Sequence, residues 1–197
     1  MKKDKLPTLA QIKRLMQKLA RENGIPGQFT NTWRHSTIVW HFANKIGRLA
    51  RKNDYQVNLK FLKIACYIHD IGRMVTGSKA SKNLKPTIFH FYEGYHLIKK
   101  IGYPKLAHVC VSHAVGTGLD KKVNKHYGFI ARDFFPKNIE EKIIAYADSR
   151  TDYKKGRGPF IHSFNFAYQR FKRYPGCGKR LKANHQFIQT ITAYKIS

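Results

Sequence analysis

The sequence predicts an all-α fold. Apolar residues recur at three- and four-residue spacings through most of the chain, which contains neither a run of alternating strand patterns nor an internal repeat. With 197 residues, of which 42% are hydrophobic, the chain can bury one full core. We therefore predict a helical domain over residues 1–152 and a basic, aromatic-rich helical extension over residues 153–197.

Periodicity and end signals place the predicted helices in order. Gly24 follows the first helix, and Asn31 or Thr32 is the predicted N-cap of the second. Asn58 is the predicted N-cap of the third, and Pro104 separates the fourth from the fifth. The predicted helices span residues 8–21, 32–51, 59–70, 89–101, 105–115, 139–152, 161–174 and 181–194, with loops at 76–86 and 116–136 and a hinge at 153–159.

The chain is strongly basic. It carries 38 Lys and Arg against 11 Asp and Glu, for a net charge of +27 and a pI near 10.2. Such a charge favours contact with polyanions, such as nucleic acid, nucleotides or an anionic membrane surface. A solvated lysine-rich surface is the alternative interpretation.

The extension combines basic and aromatic residues. From residue 150 onward there are 11 Lys and Arg and one acidic residue, Asp152. Basic groups interleaved with aromatic rings are typical of surfaces that bind single-stranded nucleic acid, so RNA is a predicted partner. For Phe164, Tyr168 and Phe171 we favour packing, because their spacing forms one helical stripe.

Cysteine use and the N-terminus indicate the compartment. Cys66, Cys110 and Cys177 lie far apart with no CxxC pair, which argues against a zinc ribbon or a disulfide framework. We expect neither a secretory signal nor a membrane span, because no long apolar run follows the charged N-terminus. The expected location is the cytoplasm.

The dipeptide His69-Asp70 ends an apolar helical run, where neither side chain belongs unless something satisfies it. A metal ion that takes both as ligands would satisfy them. Further imidazoles and one carboxylate lie in separate predicted helices, and the set contains no thiolate, which suits Fe, Mn, Co or Zn. If two metals bind, Asp70 can bridge them, and a bridging water becomes a nucleophile. The further candidate ligands are His35, His90, His113 and Asp148.

The remaining histidines are not predicted ligands. Helix geometry turns three of them away from the faces that carry the candidate ligands, and a fourth lies in the irregular segment. The last two lie in the extension and are predicted to be exposed. The three turned away are His41, His96 and His108, and the one in the irregular segment is His126. The two in the extension are His162 and His185.

At these residues the chain resembles the HD-domain phosphohydrolase superfamily, and most closely its small HDIG-type proteins. His35, the run His69-Asp70-Ile71-Gly72, and Asp148 match the H…HD…D signature. His90 and His113 resemble the two additional histidines of dinuclear members. The resemblance covers about residues 33–152, and six ligand-type residues in the right order make it specific.

The resemblance implies two metal sites that share one carboxylate. His35, His69, Asp70 and Asp148 would hold the first metal, while His90 and His113 would hold the second together with Asp70. Arg73 replaces a lysine often found after HDIG, and a cation there is expected to bind substrate phosphate. Arg34 and Arg150 are weaker candidates for substrate binding.

The implied activity is metal-dependent hydrolysis of a phosphate ester on a nucleotide, another phosphorylated small molecule or an RNA end. Two alternatives stay open. Some HD proteins with a similar ligand pattern are mixed-valent di-iron oxygenases. The chain can also be a non-catalytic RNA-associated protein whose metal stabilises the fold.

Overall fold

The computed structural model describes residues 6–77, 88–154 and 158–196. Within these ranges the predicted all-α class is confirmed, because helices form the body and the only strands form one short hairpin. Most of the predicted loop at 76–86 and the middle of the predicted hinge lie outside the described residues.

The described elements follow the predicted order, with two added short α-helices and one hairpin. The strands pair antiparallel, with Thr151 opposite Ile161 and Tyr153 opposite Pro159. The elements are α1 (Leu9–Glu22), α2 (Pro26–Lys52), α3 (Leu59–Ile68), α4 (Arg73–Thr76), α5 (Phe89–Lys100), α6 (Pro104–Ser112), α7 (Lys121–His126), α8 (Ile139–Arg150), β1 (Thr151–Lys154), β2 (Gly158–Ile161), α9 (Phe164–Phe171) and α10 (Cys177–Ile191).

The long helix α2 lies at the centre of the body, packed against α3 and α8, while α5 packs against α6. The extension shares this core, because Ile188, Ile191 and Ile196 are buried in the same apolar cluster. Phe164 also packs against the cluster, and Tyr168 and Phe171 are half-buried. The extension is therefore part of one packed body with the helices that precede it.

The predicted start of the second helix was wrong. Helix α2 begins at Pro26, so Asn31 and Thr32 lie inside it. Proline at the first helical position fixes φ and lacks only an N–H that would be unpaired there, which makes Pro26 the start signal. The buried Thr32 hydroxyl instead accepts a hydrogen bond from the Gln28 side chain at 2.7 Å.

One segment that was predicted to be helical begins as a strand, and one that was predicted to be irregular contains a short helix. The helix predicted over residues 161–174 begins only at Phe164, because strand β2 continues to Ile161 and Ser163 caps α9. The segment predicted to be irregular contains α7, which Asp120 caps by accepting hydrogen bonds from the backbone of Lys122 and Val123. Short elements of four to eight residues leave little periodicity to detect.

We expect the cap at Asn58 to contribute measurably to stability. Its side chain accepts a hydrogen bond from the Phe61 backbone N–H at 2.9 Å, so Asn58→Ala should lower the free energy of unfolding by about 1 kcal/mol. Asn31→Ala is the matched control, because this exposed residue inside α2 gains helix propensity on substitution. Urea unfolding of both variants checks the expectation, and equal losses would contradict it.

None of the helices in the described part of the chain has the length and apolar character needed to cross a membrane.

Candidate metal centre

Six predicted ligands from five helical segments converge at one end of the body. His35 lies in α2, Asp148 lies near the end of α8, and His90 lies in the first turn of α5. His69 and His113 are the C-cap residues of α3 and α6, where the helix dipole favours a cation. Positions far apart in sequence therefore meet because the ends of α3, α5, α6 and α8 lie beside His35, which is inside the long helix α2.

Asp70 lies between two groups of imidazoles. Its Oδ1 is 2.9 Å from His90 Nε2 and 3.5 Å from His113 Nε2. Its Oδ2 is 3.9 Å from His35 Nε2 and 3.8 Å from His69 Nε2. One carboxylate thus presents a different oxygen to each group, as a bridging ligand requires.

Asp148 completes the first group of candidate ligands, which also contains His35 and His69. Its Oδ1 lies 2.8 Å from His35 Nε2 and 3.4 Å from His69 Nε2. These three residues have ligand atoms close enough to hold one ion, as do His69, Asp70 and His113. The cluster can therefore hold a divalent metal.

Hydrogen bonds to helix carbonyls set the tautomers of two histidines. His69 Nδ1 donates to the Cys66 carbonyl at 2.7 Å, and His113 Nδ1 donates to the Val109 carbonyl at 2.9 Å. In the neutral rings Nε2 then carries a lone pair and faces carboxylate oxygens, which are also acceptors. The buried Nε2 of His69 forms no well-aligned hydrogen bond among the described residues. A cation fits this set of acceptors, and such carbonyl contacts orient metal-binding histidines generally.

The centre is buried on one side and open on the other. His69, Asp70, His90 and His113 are each at most 2% exposed. The side chains of His35 and Asp148 are 25% and 20% exposed. The first group therefore lies on the open side of the centre.

Local charges keep the carboxylates ionised. Burial would raise the pKa of Asp70, but the Arg73 charge and the nearby imidazoles hold it well below its usual value. Burial would also raise the pKa of Asp148, but its hydrogen bond with His35 and the charge of the nearby His69 ring hold that pKa well below its usual value. The deprotonated forms are those that bind metals.

His90 and His69 differ in basicity. Burial and the Arg73 charge lower the pKa of His90 to about 4, so this ring is neutral at neutral pH. Burial also acts to lower the pKa of His69, but the carboxylates of Asp70 and Asp148 raise it overall. A divalent metal can replace the proton that these carboxylates favour on His69.

The three predicted substrate-binding arginines have different surroundings. Arg73 donates from Nε to Asp70 Oδ2 at 2.5 Å, and its side chain is 24% exposed. Arg34 is exposed and lies over the Tyr153 ring, 4.5 Å from its centroid. Arg150 is buried and donates to the His162 carbonyl and the Tyr146 hydroxyl, so these contacts give it a packing role between α8 and the hairpin.

Gly72 allows the chain after Asp70 to approach α5 closely. A Cβ atom at Gly72 would lie 2.0 Å from the His90 carbonyl oxygen and 2.7 Å from the Gly94 backbone nitrogen. Its φ is −61°, so contact distance and not backbone conformation requires glycine here. The glycine of the HDIG run thus allows the close contact that brings His90 to Asp70. The sequence analysis noted this glycine but did not predict that role.

The histidines predicted not to be ligands lie outside the cluster. His41, His96 and His126 are exposed, although His126 ends the short helix α7. His108 is buried and its Nδ1 lies 2.9 Å from Glu141 Oε2. These four positions agree with the prediction of surface or core groups.

The prediction of exposure for the two histidines of the extension was wrong. His185 stacks on Phe164 with ring centroids 3.9 Å apart, and its Nδ1 is 2.9 Å from the Tyr146 hydroxyl. His162 stacks on Phe166 with centroids 3.7 Å apart. Their aromatic neighbours come from other turns or helices, which sequence spacing does not indicate.

Comparison with known proteins identifies the family. A family model described as HD domain matches residues 32–152, which contain all six candidate ligands. The chain belongs to the HD domain family. This confirms the resemblance drawn from the sequence and nearly coincides with its predicted limits. HD domains typically bind divalent metals and are associated with metal-dependent hydrolysis.

Other comparisons add little to the assignment as an HD domain. An uncharacterized protein of Methanocaldococcus jannaschii is 28% identical over 120 residues, which cover 60% of this chain and 65% of that protein. The chain therefore spans less than two thirds of the length of this relative. No solved structure matches the chain.

Proposed function

We propose that this HD domain protein is a metal-dependent phosphohydrolase. It would cleave a phosphomonoester or phosphodiester of a nucleotide, another phosphorylated small molecule or an RNA end. The observation that carries the proposal is the position of Asp70, whose two oxygens face two separate groups of imidazoles. A shared carboxylate between two cation sites is suited to holding two metals against one phosphate.

The ligands divide between two sites. His35, His69 and Asp148 would hold one metal with Asp70, and His90 and His113 would hold the second with Asp70. Imidazole and carboxylate ligands suit Fe, Mn, Co or Zn. When bound, such metals lower the pKa of water and neutralise charge on a phosphate.

Arg73 has two functions in this proposal. Its Nε–H orients Asp70 and its charge keeps that carboxylate ionised. A guanidinium carries further N–H donors, which can bind a phosphate oxygen at the open side of the centre. The net charge of +27 favours a phosphorylated substrate over a neutral one.

Turnover should depend on the metal and on His35. We expect the protein loaded with Mn²⁺ or Fe²⁺ to hydrolyse at least one member of a panel of nucleotides, cyclic phosphates and phosphomonoesters. His35→Ala should reduce turnover by about 100-fold or more, because a metal ligand is lost. His41→Ala, at an exposed position of the same helix, should retain activity. Phosphate release measures both, and activity that survives His35→Ala would contradict the proposal.

The second candidate is a di-iron oxygenase, which the same six-residue ligand set also supports. It predicts oxygen consumption and a di-iron absorption spectrum from the iron-loaded protein. Hydrolysis under anaerobic conditions with Mn²⁺ as the only metal would exclude it.

The third candidate is an RNA-associated protein with a structural metal, which the charge of the extension favours. RNA affinity should then fall steeply with salt. Deletion of the extension is an unsuitable test because its helices contribute to the core. Joint substitution of the exposed residues Lys172 and Arg173 by alanine should reduce the salt dependence, and an unchanged salt dependence would contradict RNA contact at the end of α9.

A further inference from the structure

The hairpin β1–β2 exposes apolar side chains on one of its faces. Residues opposite each other in an antiparallel pair lie on the same face, which here carries Tyr153 with Pro159 and Thr151 with Ile161. Thr151 is buried, Pro159 is exposed, and Tyr153 and Ile161 are 36% and 49% exposed. Tyr153, Pro159 and Ile161 lie beyond the region that matches the HD domain.

Strand β1 packs against α2, which carries His35, and continues directly from α8, which carries Asp148. Tyr153 therefore comes five residues after Asp148. The Arg34 guanidinium carbon lies 4.5 Å from the centroid of the Tyr153 ring. Arg34 precedes His35, which is one of the two partly exposed candidate ligands.

The composition of the surface distinguishes between ligands. A phosphorylated sugar would present hydroxyl groups, which gain little from the apolar side chains of Tyr153 and Ile161. A nucleobase presents a planar ring that stacks on aromatic side chains and on guanidinium groups. Arg34 and Tyr153 supply one group of each kind, and Arg34 directly precedes the candidate ligand His35.

We propose that Tyr153, Arg34 and Ile161 form a subsite for the nucleobase of a ligand whose phosphate reaches the metal centre. The placement of the phosphate rests on the proposed function, whereas the recognition of the base does not require hydrolysis. A free nucleotide and the phosphorylated end of an RNA strand share this chemistry, because both carry a base next to a phosphate.

The test compares the binding of a ligand with a base, a ligand without a base, and a short oligonucleotide. Calorimetry with the full-length, metal-loaded protein would use adenosine 5′-phosphorothioate, ribose 5-phosphorothioate and a short 5′-phosphorothioate oligoadenylate, whose sulfur slows hydrolysis. The variants are Tyr153→Ala and Tyr153→Phe, which retains the ring. Tyr194→Ala is the control, since this tyrosine is 70% exposed and lies near the end of the described chain.

The ratio of the affinity for the adenosine ligand to that for the ribose ligand should fall about tenfold in Tyr153→Ala. It should be retained in Tyr153→Phe and in Tyr194→Ala. An unchanged ratio in Tyr153→Ala, or binding of neither base-containing ligand by the wild-type protein, would overturn the subsite. Binding of the oligoadenylate alone would identify an RNA end as the source of the base. Failure of the proposed hydrolysis would appear separately, as base-dependent binding without turnover of any phosphate ester.

Discussion

Replacement of Asp70 by asparagine should remove metal from both groups of ligands at once. The two oxygens of Asp70 face different imidazole groups, and an amide supplies neither the charge nor the second anionic oxygen. We expect metal affinity to fall by about 100-fold or more at each site, because loss of supporting contacts alone costs 10- to 100-fold. Elemental analysis of the purified variant measures the metal, and phosphate release measures the accompanying loss of turnover.

His90→Ala is the matched control for Asp70→Asn. His90 Nε2 lies 2.9 Å from Oδ1 of Asp70, on the side of the second group, so its removal should release the second metal and leave the first group intact. Full metal content in Asp70→Asn would contradict a bridging role. Thermal unfolding of the metal-free variants shows whether any loss of metal results from misfolding.

Gly72→Ala should be among the most destabilising single-methyl changes in the protein. The added Cβ would lie 2.0 Å from the His90 carbonyl oxygen, so the chain after Asp70 and the start of α5 must separate. Overpacking against backbone of this kind costs about 3 kcal/mol, which lowers the melting temperature by roughly 10 °C in a chain of this size. The separation would also move His90 away from Asp70 and weaken metal binding. Calorimetric unfolding with and without metal measures both effects.

Gly27→Ala provides the comparison for Gly72→Ala. A Cβ at Gly27 meets no atom within 4 Å, and the residue lies in the first turn of α2. This substitution should therefore stabilise the protein by up to about 1 kcal/mol. Equal destabilisation by both substitutions would show that loss of glycine itself, and not the contact with α5, is responsible.

Much of the helical architecture was accessible from sequence because its signals are local. The cap at Asn58 accepts the predicted type of backbone hydrogen bond, and α1 carries both contacts of a capping box at Thr8. The six candidate ligands were also found from local context, because each lies in a recognisable helical run. All six lie within residues 32–152, which match the HD domain.

Features that depend on contacts between distant segments were not accessible. The hairpin strands are four residues long, and Pro159 argues against a strand, so their pairing could not be inferred from alternation. The burial of Arg150 depends on a carbonyl twelve residues further along the chain. The arrangement of the ligands in two groups around Asp70 likewise depends on how α2, α5 and α8 pack against one another.

We propose that the side chains around Asp70 form a metal centre. The most direct measurement is X-ray diffraction at the metal absorption edge from crystals of the protein loaded with Mn²⁺ or Fe²⁺. An anomalous peak bounded by His35, His69 and Asp148, with a second beside His90 and His113 when both sites are filled, is the predicted result. Crystals that contain the metal but show no peak within the cluster would contradict the claim.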